Sequence, residues 1–302
     1  MNALEAEVRA QAKVNLFLRV LAREDTGYHA LETLFCRLEL SDIVRLRIRT
    51  DGRYLRTSGR LPQGGFGPAE ANLAWKAAEL FTVRTGWPPG FEIELEKHIP
   101  TGAGLGGGSA DAAAVLRILN VLSPTPLSPA ALLELASSLG ADVPFLTQDR
   151  ATLALAWGRG ERLLILPGLP RRRCWIVWPR VSVETREAYT WVDETARERK
   201  AAMLRPEDMT DWDRLANLVG NDFEPAVSAR IPVVADLLRR IRSGAADART
   251  PVLTGMSGSG SAIFVVEASD QAGDGIATFL PDHVEVIETA TAERVEPVAV
   301  RH

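Results

Sequence analysis

The sequence predicts an α+β protein built as two domains, and three observations carry that reading. Its 302 residues exceed what one hydrophobic core usually serves. Segments alternating with period two are interleaved with segments of helical period, without a fixed-period repeat. A glycine-rich run starting at Pro100 follows a strand-like stretch and opens a helix-like one. That order builds an anion site from backbone amides and a helix N-terminus.

Residues 7–21 (EVRAQAKVNLFLRVL) are β-prone and run into the turn-like REDTGYH, which carries Tyr28 and His29. Lys13 stands in this strand beside Asn15. From the segment alone, a lysine with its head in water at a strand edge and a lysine kept for chemistry are both open. Residues 30–40 and 43–50 read as two further strands, the second alternating between apolar and basic positions. Residues 51–71, rich in Gly and Pro, read as loop. Asn72 is placed to cap a helix over LAWKAAELFTVRT, which Gly86 closes. FEIELEKHIP alternates again and delivers the chain into PTGAGLGGGSADAAAVL, where Ser109 is placed to cap a helix with Asp111 in its first turn. That helix ends near Leu122, because SPTPLSP breaks it. Ser128 and Pro129 start the next, AALLELASSL, and Gly140 is placed at its end.

In GADVPFL, Asp142 precedes Pro144 at another helix start, so a capping carboxylate and a catalytic one are both open. ATLALAW and RLLILP read as strands leaving the first domain, and RCWIVWPRVSVET as a further apolar run with Tyr189 soon after it. Residues 193–213 read as a charged helix with an exposed loop. LANLVGNDFEPAV and IPVVADLLRRIRS read as two helices with apolar faces, and TGMSGSGSAIFVVE as a second glycine-serine turn ahead of a strand.

Composition narrows the partners. A hydrophobic share of 46% with 25% charged residues is that of an ordinary globular chain. The net charge of −4 argues against a nucleic-acid partner, since a phosphate-backbone binder carries a basic surface. No stretch approaches the ~18 apolar residues of a membrane span, and the first residues show no apolar leader, so a cytoplasmic location is expected. Cys36 and Cys174, each in an apolar run, suit packed thiols in a reducing compartment. The only lysines are Lys13, Lys76, Lys97 and Lys200. Arginine keeps its proton in a protein whereas burial can tune a lysine, so the few lysines are candidates for chemistry.

Three phosphate-loop patterns compete for the run of Gly102, Gly104, Gly106, Gly107 and Gly108. The P-loop requires a lysine before its serine, and Gly108 stands there. Gly102, Gly104 and Gly107 satisfy G-x-G-x-x-G, but the acidic residue expected about 20 positions on is missing from LSPTPLSP. The third pattern, P-x-G-x-G-L-G-G/S-S/G-S-A opening a helix, resembles the nucleotide loop of the GHMP kinases.

Four segments, AKVNLFLRV with DTGYHALETLF, PTGAGLGGGSADAA, LGADVPF and TGMSGSGSAIF, then resemble in order and spacing the 4-diphosphocytidyl-2-C-methyl-D-erythritol kinase family within that superfamily. The resemblance spans most of the chain. It implies the two-domain GHMP-kinase fold, with residues 1–160 like the second domain of ribosomal protein S5, a C-terminal α+β domain over 161–302, and the active site in the cleft between them. The implied activity is transfer of the γ-phosphoryl of ATP to the 2-hydroxyl of a cytidine diphosphate-linked polyol, a step of the non-mevalonate isoprenoid pathway. Lys13 matches the family's catalytic lysine and Asp142 its catalytic base. Pro100, Thr101, Gly102, Ala103, Gly104, Leu105, Gly106, Gly107, Gly108, Ser109 and Ala110 match the ATP loop. Asn15, Tyr28, His29, Thr185 and Tyr189 match substrate positions, with Tyr28, His29 and Tyr189 holding the cytosine. Mg²⁺ is the implied metal; Ser109 offers it a hydroxyl, and no carboxylate cluster names further ligands. Two other readings remain open here: a GHMP kinase for a small alcohol such as homoserine or mevalonate, and a nucleotide-binding regulator without catalysis.

Overall fold

Period-two patterning at the N-terminus resolves into one long antiparallel pair, β1 (Glu5–Arg23) and β2 (His29–Arg49). The structure is a computed structural model and describes residues 4–23, 29–62, 65, 67–195, 204–247, 252–267, 280–281 and 284–301. β2 runs unbroken where the sequence reading left a gap between two strands: Ser41 pairs with Gln11 and Asp42 with Ala10. The stretch expected to be loop contains β3 (Arg53–Gly59), which lies parallel to β4 (Gly90–Lys97). Its residues are mostly exposed, so it lacks the apolar alternation that marks a half-buried strand. β5 (Leu153–Gly158) pairs with β2, and β6 (Arg162–Leu166) with β5. The two-residue β8 (Gly220–Asn221) and β12 (Ala299–Arg301) flank β1, making an eight-stranded sheet among the described residues.

The two faces of this sheet follow the alternation in its sequence. On the inner face Val44, Leu46, Phe91 and Ile93 are fully buried. α1 (Leu73–Thr85) and α2 (Gly107–Leu122) pack there against each other, with α3 (Pro129–Leu139) and the short α4 (Val143–Thr147) beside them. The outer face is a ladder of cross-strand ion pairs, among them Arg45 with Glu7 and Arg49 with Glu92 at 3.1 Å.

The second sheet contains β7 (Arg173–Trp178), β9 (Val252–Met256), β10 (Ile263–Glu267) and β11 (Glu285–Ala290) in the order β11-β7-β10-β9. Cys174, Ile176, Phe264 and Val266 join the core beneath α2, while Trp175, Val177, Ile263 and Val265 join a second core. That second core also holds Val192 of α5 (Thr185–Glu194), Phe223 of α7 (Phe223–Arg230) and Leu237 of α8 (Pro232–Asp247). Burial on both faces is why CWIV and IFVV are continuous apolar runs instead of alternating ones.

Local signals placed several helix ends correctly. Asn72 accepts from the Ala74 amide at 2.9 Å, Gly86 closes α1 at φ 72°, and Ser128 accepts from the Ala131 amide at 3.3 Å. α2, however, begins at Gly107 with Gly106 at its N-cap, so Ser109 lies inside the helix and Asp111 beyond its first turn. A glycine cap brings no side chain to the first amides, which stay free for a ligand. Of the segment 193–213, expected as a charged helix with an exposed loop, residues 196–203 lie outside the described residues; α5 ends at Glu194 and carries both Thr185 and Tyr189. Beyond it come a 3₁₀ turn at Pro206–Met209 and α6 (Trp212–Leu215). LANLVGNDFEPAV is divided among α6, β8 and α7, because Asn221 leaves the helical path to pair beside β1. Among the described residues no helix is long and apolar enough to cross a membrane.

Two substitutions separate the inner face from the outer. Phe81→Ala empties a fully buried position in α1 and should cost about 3–5 kcal/mol in urea unfolding. Arg47→Ala, in the half-exposed ladder, should cost under about 1 kcal/mol.

Candidate active site

Lys13 lies between two register shifts in the β1–β2 ladder, one between Gln11 and Lys13 and one between Asn15 and Phe17. Bulges of this kind bend a strand and re-aim its side chains. Lys13 is 3% exposed, which excludes the solvated strand-edge reading. Its ammonium has three protons and meets three acceptors: Asn15 Oδ1 at 2.8 Å, the Gly104 carbonyl at 3.1 Å and Asp142 Oδ2 at 3.2 Å. Asn15 in turn donates to Thr33 Oγ1 at 2.7 Å, and Thr33 donates to the Phe17 carbonyl at 2.6 Å. Asp142 occupies the N-cap position of α4, yet its backbone is helical and its side chain caps nothing. The carboxylate is turned to Lys13 instead, which removes the capping alternative.

The glycine loop is clamped from two sides. On one side is the turn between β9 and β10: Ser257 Oγ donates to the Gly104 carbonyl at 2.9 Å, and the Ala262 amide to the Ala103 carbonyl at 3.1 Å. Gly104 has φ +80°, and a Cβ there would stand 2.1 Å from the Ser257 carbonyl oxygen, so the two backbones touch where no side chain fits. Asn221 pins the same turn to β1 by donating to the Met256 carbonyl at 2.7 Å and the Gly258 carbonyl at 2.8 Å. On the other side Lys97, the last residue of β4, forms ion pairs with both Asp42 and Asp111. Asp42 Oδ1 accepts the amides of His98 and of Ile99, the latter at 2.8 Å. The residues just before the loop and the helix just after it are thereby tied to one buried ammonium.

This triad has one carboxylate too many for its cation. Burial lifts the Asp111 carboxyl to about 7; Lys97 opposes that rise and Asp42 adds to it. Burial pulls Lys97 down, but the two carboxylates outweigh it and raise its pKa.

Thr185, Tyr189 and His29 line the same cavity of about 1500 Å³ as Lys13, Asp142 and the loop. His29 is buried at the start of β2, and its ring stacks on Tyr189 with centroids 4.6 Å apart and planes 11° from parallel. Its Nε2 lies 2.7 Å from Asp193 Oδ1, while Arg23 reaches Asp193 Oδ2 at 3.6 Å. Phe223 meets Tyr189 edge-on at 4.9 Å. Burial, with the Asp142 charge, pushes the Tyr189 hydroxyl up to about 12, so it stays a neutral donor. Thr185, at the start of α5, lies 3.2 Å from the Ser259 hydroxyl of the second glycine-serine turn. Tyr28 lies outside the described residues. Thr33, Asp42, Asp193 and Asn221 were not anticipated: each acts through a partner distant in sequence, 164 residues away for Asp193 and His29, and no local motif marks such a pair.

Comparison with known proteins identifies the family and the fold. Residues 72–149 match the family model for the GHMP kinases N terminal domain. The chain is 40% identical over 265 residues to the 4-diphosphocytidyl-2-C-methyl-D-erythritol kinase of Pelotomaculum thermopropionicum, covering 86% of this chain and 88% of that one. It is also 40% identical over 275 residues to the kinase of the same name from Nitrosococcus oceani, covering 91% and 90%. Among solved structures, a 4-(cytidine 5'-diphospho)-2C-methyl-D-erythritol kinase superposes with a TM-score of 0.73 at 34% identity, over 95% of this chain and 99% of that one. A homoserine kinase from Cytophaga hutchinsonii shares the fold, with a TM-score of 0.69 at 20% identity over 98% and 97% of the two chains.

The backbone contact at Gly104 has a measurable consequence. Gly104→Ala must separate the two turns and accept a left-handed backbone, a strain of about 1–3 kcal/mol, so calorimetry should show ATP affinity weakened by about tenfold or more. Gly108→Ala, whose Cβ would meet only Leu73 Cδ1 at 3.7 Å, should change it far less. The triad makes a pH prediction. Because Asp111 has its folded pKa raised, its stabilising share is complete below the unfolded carboxylate range and is lost as pH rises through about 7. Asp111→Asn should therefore flatten the decline in urea midpoint between about pH 4 and about pH 7.

Proposed function

The chain belongs to the 4-diphosphocytidyl-2-C-methyl-D-erythritol kinase family of GHMP kinases, and on that premise we propose that it transfers the γ-phosphoryl of ATP to the 2-hydroxyl of this diphosphocytidyl polyol, giving the 2-phosphate and ADP. The observation that carries the proposal is the Lys13–Asp142 pair set against the glycine loop. A Cβ built on Gly106 would stand 3.1 Å from Lys13 Cε and 3.5 Å from Asp142 Oδ2, so phosphate held by the loop lies next to the pair.

Phosphoryl transfer asks a protein mainly for positioning and charge stabilisation. Amides at the start of α2 and along the loop hold the phosphates, aided by the helix dipole. Asp142 accepts the proton of the acceptor hydroxyl. Lys13 holds that carboxylate in place and favours the negative charge that develops on the attacking oxygen. Asn15, braced by Thr33, orients the lysine. His29 and Tyr189 supply a ring edge and a ring face for cytosine, which a small aliphatic alcohol would not use.

Among the described residues no three His, Cys, Asp or Glu side chains gather to hold a metal ion. Mg²⁺ needs no such cage, since it keeps waters and binds through one or two side chains plus substrate phosphates. The Ser109 hydroxyl, lining the cavity in the first turn of α2, fits that donor set. When bound, the ion neutralises phosphate charge. A cytoplasmic setting suits the two buried free thiols.

Phosphorus NMR with Mg-ATP and, in separate tubes, the cytidyl substrate, homoserine and mevalonate tests the substrate. A phosphomonoester formed only with homoserine or mevalonate would overturn it. Asp142→Asn should lower kcat by about 10²–10⁴-fold with ATP affinity nearly unchanged. Tyr189→Ala should raise KM for the cytidyl substrate far more than for ATP, in line with about 1–3 kcal/mol for a base–aromatic stack; a loss confined to ATP would move Tyr189 to the adenine pocket.

A further inference from the structure

Directly across the ladder from Lys13 stands Arg37, the pair Lys13↔Arg37 being in register in the β1–β2 sheet. Opposed residues of an antiparallel pair point to the same face. Lys13 reaches the carboxylate at the start of α4, and Arg37 reaches the other end of the same helix. The Nη2 group of Arg37 donates to the carbonyls of Phe145 at 2.9 Å, Leu146 at 3.1 Å and Gln148 at 3.1 Å, and its Nε to Ala151 at 2.9 Å. Its guanidinium also lies 5.1 Å from the centroid of the Phe145 ring.

Two features set this contact apart from ordinary packing. Arg37 is 1% exposed and, among the described residues, meets no carboxylate. A buried cation of that kind is expensive, and here carbonyl dipoles, most of them at the C-terminal end of α4, together with the Phe145 ring offset the cost. α4 is five residues, a rod of about 7.5 Å, too short to keep its shape or its place by itself. Of the carbonyls at its C-terminal end, Phe145 takes the Gln148 amide at 3.2 Å, and Arg37 supplies a side-chain donor to Phe145, Leu146 and Gln148 alike. The face of the helix is set by Phe145, stacked 5.1 Å from Phe35, whose ring lies beneath the Lys13 ammonium.

We propose that Arg37 is a positioning residue for the reaction: by gripping the C-terminal carbonyls of α4 it holds the helix, and with it Asp142, at a fixed reach from Lys13. This rests on the reading of Asp142 as the base. One strand pair then places both members of the site, Lys13 from β1 directly and Asp142 from β2 through Arg37.

A double-mutant cycle tests it. Arg37→Met and Arg37→Lys are each made in the wild-type chain and in Asp142→Asn, and kcat, both KM values, ATP affinity by calorimetry and thermal melts are measured for all. Arg37→Met should lower kcat by up to about 10²-fold, the scale of a misplaced catalytic group, with KM for ATP near normal. Arg37→Lys, which keeps the charge but not the fork, should lose less. In the Asp142→Asn background both should change kcat by less than about threefold, since there is no base left to position. Equal losses in the two backgrounds, or a lowered melting temperature with kcat unchanged, would make Arg37 purely structural and overturn the proposal while leaving the base assignment intact. Near-normal turnover of Asp142→Asn alone would instead remove the base. Should Arg37→Met fail to fold, the Arg37→Lys cycle gives the same comparison.

Discussion

A single buried ammonium organises the cleft. Lys13 has three protons and three acceptors, each from a different part of the chain: Asn15 in its own strand, Gly104 in the glycine loop and Asp142 ahead of α4. A charge this deeply buried is tolerable only when every proton is placed, so the three segments cannot drift independently without leaving a charge uncompensated. Lys13 is attached to the loop a second time, its amide donating to the Leu105 carbonyl at 3.0 Å. The bulges on either side of it give the strand pair the bend that brings the side chain to this junction.

The loop itself is held by contacts a flexible glycine-rich segment cannot make alone. Ser257 and Ala262 fasten it to the second sheet, while Asp42, Lys97 and Asp111 fasten its entry and the helix it opens to the first. What remains unfastened is the amide-lined inner surface. Glycines pay the largest backbone entropy on ordering, and these anchors settle that cost before any phosphate arrives. Preorganisation of this kind is most of what a protein can contribute to phosphoryl transfer.

The end of the cleft proposed for the base is assembled differently, from side chains instead of backbone. His29 is pressed between the Tyr189 face and the Asp193 carboxylate. A ring nitrogen held against a carboxylate fixes which edge of the imidazole is committed within the protein and which remains for a ligand. The pair joins β2 to α5, so the end of the cleft proposed for cytosine depends on how the two sheets are packed, as the end proposed for phosphate depends on one loop.

Much of this was legible in the sequence because it is local. The helix over 73–85 with its Asn72 cap and Gly86 stop, the alternation of 43–50, and the glycine run opening a helix all express constraints on neighbouring residues, which a one-dimensional reading can see. The segments around Lys13, Asn15, His29 and Asp142 also carried a family resemblance in the sequence, which in turn matched Thr185 and Tyr189 to substrate positions. The tertiary structure decided what those residues touch: that Lys13 is buried instead of solvated, that Asp142 faces a lysine instead of capping α4, that Asp193 meets His29 and Thr33 meets Asn15, that Asn221 holds the turn behind the loop, and that Arg37 reaches the far end of α4. It also joined two expected strands through Asp42 and drew 53–59 into the sheet as β3. These outcomes depend on strand register and on contacts between residues far apart in the chain, and neither periodicity nor propensity encodes a distant partner.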